Sequence, residues 1–439
     1  MSFPRSIAGL FVLCALVPPA CNGKQPRPGV APETVLLVTV AGLRADHSSA
    51  YLYHRATTYI AVDDAQVDDG KGLSLDQQSS EGVLFAQAFA PTGDTGKNLV
   101  ALHTGQTPRG AQDAPSVAAQ LAADGWATHA FVSHFEPLDE RIEEGFEDYQ
   151  RFSTDFETLG KAINWADNRD FSNGRKTFVW LHLEAPLFPF EPDELGTARG
   201  TVDFAQLFRD PDYTGPADGS EEFLFSHAGA ALTAQDRDAV IAAYDGEIAQ
   251  LTQVLSQFLD FFHYAGRTAN GWGRTFLVFA GVRGVDLFRE EGRWGFADSL
   301  HDSVLHVPLL LRHPDSLTGQ RVFRRPVQLQ DVAPTLLELA QLDVPDEVHG
   351  RSLLALTDEY IERDFENLPA FAFEVDGPQL SIRDARYRCI SRLAPDGALT
   401  SELFDQDNDP GGLRNIAEEQ PERVQVMEDA LRAWLAEVD

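Results

Sequence analysis

The chain has 439 residues, of which 68 are acidic and 35 are basic, so its formal net charge at pH 7 is −33. A field of this sign repels nucleic acid and anionic lipid headgroups, which excludes nucleic-acid binding through a basic surface. The composition is that of an ordinary globular protein without low-complexity tracts, and the length allows a large core.

The first residues resemble a secretory signal. Residues 7–17 form an apolar run that is too short to span a bilayer, and small residues precede Cys21. A cysteine at this point is typical of a bacterial lipoprotein signal, in which the thiol becomes lipidated. Because Pro18 and Pro19 depart from the usual lipoprotein sequence, a signal that is simply cleaved remains the alternative. We expect the signal to occupy residues 1–21.

Residues 22–33 are rich in proline, glycine and polar side chains, which predicts a flexible tether. We therefore expect export to the bacterial periplasm or cell envelope, with membrane contact only through a lipid on Cys21. Once the signal is set aside, Cys389 is the only cysteine left, so no intrachain disulfide is expected. Its strand-like surroundings predict a small core residue.

Farther along the chain, apolar runs of strand length alternate with amphipathic helical windows, which predicts a mainly parallel α/β sheet flanked by helices. The predicted strands are residues 35–40, 129–134, 177–183, 275–281 and 307–312, and the predicted helices are residues 117–124, 232–262 and 421–438. Residues 196–229 lack periodicity and are predicted to form a long surface excursion. We expect an α/β domain over residues 34–368 and a small C-terminal α+β subdomain over residues 369–439.

The first predicted strand leads into the sequence VAGLRADH, residues 40–47, and further motif blocks follow in a fixed order. These blocks are residues 81–108, 120–134, 180–192, 244–251, 305–314, 327–354 and 401–417. Together they resemble the sulfatase family of the alkaline-phosphatase superfamily. The resemblance implies an α/β fold, and it implies sulfate-ester hydrolysis with a calcium or magnesium ion held by carboxylates and a nucleophile in a Cys/Ser-x-Pro-x-Arg motif.

The aligned positions of this chain hold other side chains. The first-strand metal carboxylate falls on Ala41, which is followed by Gly42, and the nucleophile falls on Thr95. The proline and arginine of the nucleophile motif fall on Lys97 and Leu99. The family's Asp-Pro-His falls on Ala185-Pro186-Leu187. Its Asp-His ligand pair falls on Val282-Arg283, and its later histidine falls on Phe296.

These replacements remove the oxygen and imidazole ligands that a divalent cation requires, so we expect neither calcium nor magnesium in the former site. Arg283 adds a permanent positive charge there, which repels a dication.

Two functions are compatible with this sequence. The first is a pseudoenzyme, whose former sulfatase cleft binds an unidentified ligand or partner, with Lys97 and Arg283 as candidates to hold an anion. The second is an active sulfuric- or phosphoric-ester hydrolase that uses Thr95 in a rebuilt site. The first accounts for all the replacements together, whereas the second needs a substitute for every lost ligand.

Other local patterns have simpler explanations. TGDTGKN resembles a phosphate-binding loop, but Pro91 and Asn98 stand where that loop needs a glycine and a Ser or Thr. Thr95 precedes a helical window and is predicted to cap it. His301 and His306 are predicted to lie, partly solvated, on a helix ahead of a strand, since their spacing does not place both rings on one helix face.

Replacement of Cys21 by serine tests the anchor. We expect Cys21→Ser to move the protein from the membrane fraction to the soluble periplasmic fraction, because a lipid chain would be the only membrane contact. Fractionation followed by immunoblotting measures this, with Cys389→Ser as the control that leaves the distribution unchanged. Membrane association that persists in Cys21→Ser would disprove the lipoprotein interpretation.

Overall fold

The computed structural model describes residues 32–59, 74–109, 114–134, 138–169, 174–197, 200–227, 232–264, 272–288, 294–295, 299–313, 321–354 and 367–438. The α-helices are α1 (Leu75–Glu81), α2 (Thr95–Thr104), α3 (Val117–Ala123), α4 (Glu140–Glu143), α5 (Asp155–Asn168), α6 (Glu221–Ser226), α7 (Ala234–Tyr264), α8 (Asp302–Leu305), α9 (Val332–Leu339) and α10 (Pro421–Val438). Short 3₁₀ helices lie at Ala45–His47, Ser49–Tyr51, Trp272–Arg274 and Leu329–Asp331.

The strands are β1 (Thr34–Ala41), β2 (Val83–Phe85), β3 (Ala88–Phe89), β4 (Ala127–Ser133), β5 (Asp148–Phe152), β6 (Thr177–Leu183), β7 (Glu194–Thr197), β8 (Gly200–Asp203), β9 (Thr275–Arg283), β10 (Asp286–Leu287), β11 (Trp294–Gly295), β12 (His306–Val307), β13 (Leu309–Arg312), β14 (Arg321–Phe323), β15 (Val327–Gln328), β16 (Ala370–Phe373), β17 (Gln379–Arg383), β18 (Tyr387–Leu393) and β19 (Leu399–Asp405).

The central sheet has the strand order β14-β2-β13-β9-β1-β6-β4-β5. β1 pairs in parallel with both β9 and β6, and β4 and β5 continue the parallel half. The predicted mainly parallel sheet is confirmed. However, β13 runs antiparallel to both β9 and β2. This reversal was not predicted, because an apolar run such as residues 307–312 is equally compatible with either strand direction.

β1 is buried along its whole length, as expected for a central strand covered on both faces. Its alternate side chains enter two different cores. Val35 and Leu37 pack with residues of α2, α3 and α9 on one face. Leu36 and Val38 pack with residues of α5 and α7 on the other. This alternation follows from the two-residue repeat of a strand, and it fixes the face on which each residue near the end of β1 lies.

The small C-terminal sheet is also confirmed. Strands β16 to β19 pair antiparallel in chain order, and α10 packs on them. Trp434 of α10 stacks on Phe371 with the ring centroids 5.0 Å apart. Cys389 is buried in this core as a free thiol, as its sequence context predicted.

The excursion over residues 196–229 contains more regular structure than predicted. It begins in the hairpin of β7 and β8, and it includes α6. Ser220 caps α6 by accepting a hydrogen bond from the backbone N–H of Phe223. A helix of six residues is too short to show an amphipathic repeat, which explains why the sequence did not reveal it. Within the ranges that the structure describes, no helix combines the length and apolar character needed to cross a bilayer.

A buried carboxylate joins α7 to the turn after β1. Asp245, whose side chain is fully buried, accepts hydrogen bonds from the Tyr53 hydroxyl at 2.8 Å and from the Arg55 guanidinium at 2.6 Å. Its other oxygen lies 2.8 Å from Nδ1 of His47. A buried carboxylate is tolerated only when it is paired and fully hydrogen-bonded, and this one is.

Asp245→Asn tests this junction. The amide directs a donor at other donors and removes the charge opposite Arg55, so we expect a loss of about 2–4 kcal/mol in the free energy of unfolding. The control is Asp238→Asn, at an exposed position on the same helix, which we expect to change stability by less than about 0.5 kcal/mol. Urea denaturation of both variants measures the difference, and equal stabilities would show that Asp245 does not hold the junction.

Candidate functional site

The central parallel strands end at one rim of the sheet, and this rim holds most of the positions singled out from the sequence. Ala41, at the end of β1, lies in register with Arg283 on β9, after a shift in the pairing next to Val40. Ala41 and Val282 are fully buried, and Arg283 is buried apart from 8% of its surface. The structure therefore places a methyl, an isopropyl and a guanidinium group where the family resemblance places metal ligands.

The N-terminus of α2 is fastened to the same rim. The side-chain amide of Asn98 donates hydrogen bonds to the backbone carbonyl of Val282 at 3.0 Å and to that of Thr92 at 2.9 Å. Its oxygen accepts from the Thr92 backbone N–H. Thr95, the first residue of α2, is thereby positioned at this rim and is half-buried. Leu99, one turn farther on, is fully buried in the core shared with α3 and α9.

The prediction that Thr95 caps α2 is wrong by one residue. Asp94 is the N-cap, and its carboxylate accepts a hydrogen bond of 2.7 Å from the backbone N–H of Lys97. Aspartate is among the strongest N-caps, and its charge also favours the positive end of the helix dipole. The hydroxyl of Thr95 consequently does not cap α2.

The two candidate anion-binding cations lie in different surroundings. Lys97 is exposed on the first turn of α2. The pKa of Asp139 is lowered chiefly by hydrogen bonding to Arg141, with a weaker contribution from the charge of Lys97. Arg283, in contrast, is buried, and its Nε donates to the carbonyl of Gly284 at 3.2 Å.

The segment Ala185-Pro186-Leu187 packs directly against the turn after β1. Gly42 has a φ of +83°, and a Cβ there would come within 2.2 Å of the Pro186 carbonyl oxygen and 2.8 Å of a Leu187 methyl. The hydroxyl of Tyr244 donates to the Gly42 carbonyl at 2.7 Å. Only glycine fits this conformation and this close approach. Gly42, noted in the sequence as a neighbour of Ala41, is thus required by the packing.

A group that sequence reasoning missed lies at the ends of the adjacent strands β4 and β6. His134, His182 and Glu184 each present a potential ligand atom, and these three atoms lie within 4.8 Å of one another. His182 is fully buried, and burial lowers its pKa to about 3. The signal that could have revealed the group is a histidine at the end of one predicted strand together with a histidine near the end of another and a carboxylate directly after it.

Asp155, the first residue of α5, supports the loop that carries Glu184. The carboxylate of Asp155 accepts hydrogen bonds from the backbone N–H groups of Glu184 and Ala185 at 2.9 and 2.7 Å. Burial raises the pKa of Asp155 above its usual range. Burial also raises the pKa of Glu247, on α7, to about 8, with Asp155 among the nearby acids that raise it further.

His301 and His306 do not form a metal site with their neighbour Asp302. His301 occupies the N-cap position of α8 without a side-chain capping bond, and His306 begins β12, where its Nε2 contacts the Ala86 carbonyl at 2.9 Å. Asp302 pairs with Arg388. Within the part of the chain that the structure describes, His134, His182 and Glu184 form the only group of this kind. Phe296 and Cys21 lie outside the described residues.

Comparisons with known proteins agree with this architecture. Residues 292–438 match the family model for the C-terminal region of N-sulphoglucosamine sulphohydrolase. The chain is similar to arylsulfatase K of Xenopus laevis, with 23% identity over 305 residues, covering 64% of this chain and 55% of that protein. It is also similar to the arylsulfatase of Clostridium perfringens, with 26% identity over 197 residues, covering 43% of this chain and 39% of that protein. The chain thus spans about half the length of the arylsulfatase K that it matches.

Solved structures show the same fold. The phosphonate monoester hydrolase of Agrobacterium radiobacter superposes with a TM-score of 0.68 at 18% identity, covering 93% of this chain and 96% of that chain. A 2-O GAG sulfatase superposes with a TM-score of 0.67 at 17% identity, covering 93% of each chain. At such identities the likeness establishes the fold, and a shared fold does not establish activity.

Gly42→Ala tests the packing at the rim. Gly125→Ala is a matched control, because Gly125 also has a positive φ (+87°) but has no atom within 4 Å of the position that a Cβ would take. Both variants should lose about 1 kcal/mol from the backbone conformation. Gly42→Ala should lose about 1–3 kcal/mol more, because its methyl group overlaps the Pro186 carbonyl. Equal urea midpoints for the two variants would contradict the close approach of the two loops.

Proposed function

Since the chain belongs to the sulfatase family of the alkaline-phosphatase superfamily, we propose that it is a pseudoenzyme. In this proposal, the region of the former active site binds a ligand or partner and does not hydrolyse sulfate esters. The observation that carries the proposal is the pairing of Ala41 with Arg283 at the ends of β1 and β9, beside buried Val282.

The side chains at the ends of β1 and β9 do not fit the divalent cation that the family resemblance implies. Calcium and magnesium need oxygen ligands, and neither Ala41 nor Val282 offers a side-chain oxygen. Arg283 offers only N–H donors and carries a permanent positive charge, which opposes a dication at the same place. A sulfate ester is an anion, so its hydrolysis depends on charge stabilisation that these residues do not supply.

Thr95 lacks a partner that would make it a strong nucleophile. A neutral hydroxyl needs an adjacent base or a bound metal to become reactive. Among the residues that the structure describes, neither a histidine nor a carboxylate makes a hydrogen bond with the Thr95 hydroxyl. The alternative function, an active ester hydrolase that uses Thr95, therefore has less support than the pseudoenzyme.

The binding partners and the localisation of the protein are part of the same proposal. The net charge of −33 argues against nucleic acid and against direct binding to anionic lipid. The N-terminal sequence supports export to the periplasm or cell envelope with a lipid on Cys21. Lys97, in the nucleophile motif, and Arg283, at the end of β9, are the candidate cations, and an anionic group on the ligand is the chemistry that either could recognise.

The test is catalysis by the purified protein. We expect no hydrolysis of aryl sulfates or phosphate diesters above background, and no stoichiometric calcium or magnesium. Removal of one electrostatic stabiliser lowers the rate of an enzyme by about 100- to 1,000-fold, and several are missing here. Metal content is measured without chelator, and activity is followed with chromogenic esters.

Two variants make this test decisive. Thr95→Ala should behave like the wild type, because the hydroxyl has no catalytic role in the proposal. Val282→Asp combined with Arg283→His should also stay inactive, because Ala41, Leu99 and Leu187 are unchanged. Turnover in the wild type that vanished in Thr95→Ala would overturn the proposal in favour of an active hydrolase.

A further inference from the structure

The ends of β4 and β6 bring together two imidazoles and a carboxylate. His134 follows β4 directly, His182 is the penultimate residue of β6, and Glu184 follows that strand. Because β4 and β6 are adjacent and parallel, their ends meet at the same rim. The ligand atoms of the three side chains lie within 4.8 Å of one another.

His182 has one ring nitrogen fixed and one left open. Its Nδ1 lies 2.8 Å from the hydroxyl of Thr39, and that hydroxyl also accepts a hydrogen bond of 2.9 Å from Nε1 of Trp180. Its Nε2 is buried and makes no hydrogen bond among the described residues. A buried ring nitrogen without a partner loses about 1–3 kcal/mol relative to water, so it calls for an explanation.

Glu184 and His134 provide both the remaining ligand atoms and access from solvent. The Glu184 carboxylate and Nδ1 of His134 are 2.5 Å apart. The side chains of His134 and Glu184 are 17% and 26% exposed, so an ion can reach the group from outside while His182 forms its buried end. Asp155 holds the backbone N–H of Glu184, which keeps the carboxylate at this position.

We propose that His134, His182 and Glu184 bind a divalent transition-metal ion, with zinc as the best match. Two imidazoles and one carboxylate suit zinc, whereas calcium and magnesium favour oxygen ligands alone. In a tetrahedral zinc site the ligand atoms are roughly 3.4 Å apart. The three ligand atoms here lie within 4.8 Å of one another, so only small side-chain rotations are required to reach that spacing. Three protein ligands leave a fourth coordination position for water or a ligand.

A simple hydrogen-bonded pair explains less of the geometry. The contact of His134 with Glu184 would satisfy those two side chains, but it leaves Nε2 of His182 without a partner. His103 shows that an unpaired imidazole alone is not enough to indicate a metal: both of its ring nitrogens lack partners among the described residues, and its ring packs on Trp180 at 4.3 Å. His182 differs because it belongs to a group of three potential ligands within 4.8 Å of one another, and because its Nδ1 has a fixed partner.

The hydrogen bond between Thr39 and His182 matches the way in which metal-binding histidines are held. Such histidines use their second ring nitrogen to bond a neighbouring oxygen, which fixes the ring orientation. Thr39 lies on β1, paired in register with His182 on β6, so the bond is built into the central sheet. This site does not depend on the proposed loss of sulfatase activity, because none of its residues occupies a lost ligand position.

The experiment is zinc titration of the untagged protein after treatment with chelator and buffer exchange. Calorimetry with zinc chloride should give one ion per chain, and cobalt chloride should give the visible absorption of a four-coordinate site. His134→Ala and Glu184→Gln should each weaken zinc binding by at least about 10-fold, because each removes a direct ligand. His54→Ala and Glu222→Gln change exposed side chains outside the group and should leave the affinity within about two-fold of wild type.

Thr39→Val probes the positioning bond without touching a ligand. It should weaken zinc binding by about 10- to 100-fold and broaden the cobalt spectrum, while Thr39→Ser should restore both. Absence of zinc binding in the folded wild-type protein would overturn the proposal. So would an affinity unchanged in both His134→Ala and Glu184→Gln, or equal displacement of zinc by calcium. Because hydrolysis is not the readout, failure here is distinguishable from failure of the pseudoenzyme proposal.

Discussion

Burial of β1 on both faces is the constraint on which the rest of the structure depends. A strand covered on both sides cannot shift its register without moving apolar side chains from one core to the other, so its end is fixed against β9 and β6. The position of Ala41 beside Arg283 follows from this register. So does the position of Thr39 beside His182, one strand away in the other direction.

Buried apolar side chains lie at the β9 side of this rim. Carboxylates gathered there without a cation would be uncompensated charges in a buried place, which is costly. Apolar Ala41 and Val282 avoid that cost, and Leu99 lies in the same core as Val282. Asn98 fastens the N-terminus of α2 to β9 by a neutral hydrogen bond to the Val282 carbonyl.

Much of the fold could be predicted from the sequence. Buried strands are long apolar runs, and the bounds of β6 and α10 agree with the predicted residues 177–183 and 421–438. The direction of β13 could not be predicted, since it depends on the path of the connection and not on local composition. The cap of α2 was misplaced from Asp94 to Thr95, because both residue types cap helices and only the backbone geometry distinguishes them.

The histidine group illustrates a different limit. In sequence, His134 and His182 are far apart and look like single histidines at strand ends, which usually serve packing. What makes them a group is the adjacency of β4 and β6, and that is a property of the sheet order. Open α/β sheets bind ligands at the carboxyl ends of their strands. In this chain the β9 side of that rim carries apolar groups and a buried guanidinium, whereas the β6 side keeps imidazoles and acids. The imidazoles and the carboxylate of the rim thus lie one strand away from the position where the family resemblance first directs attention.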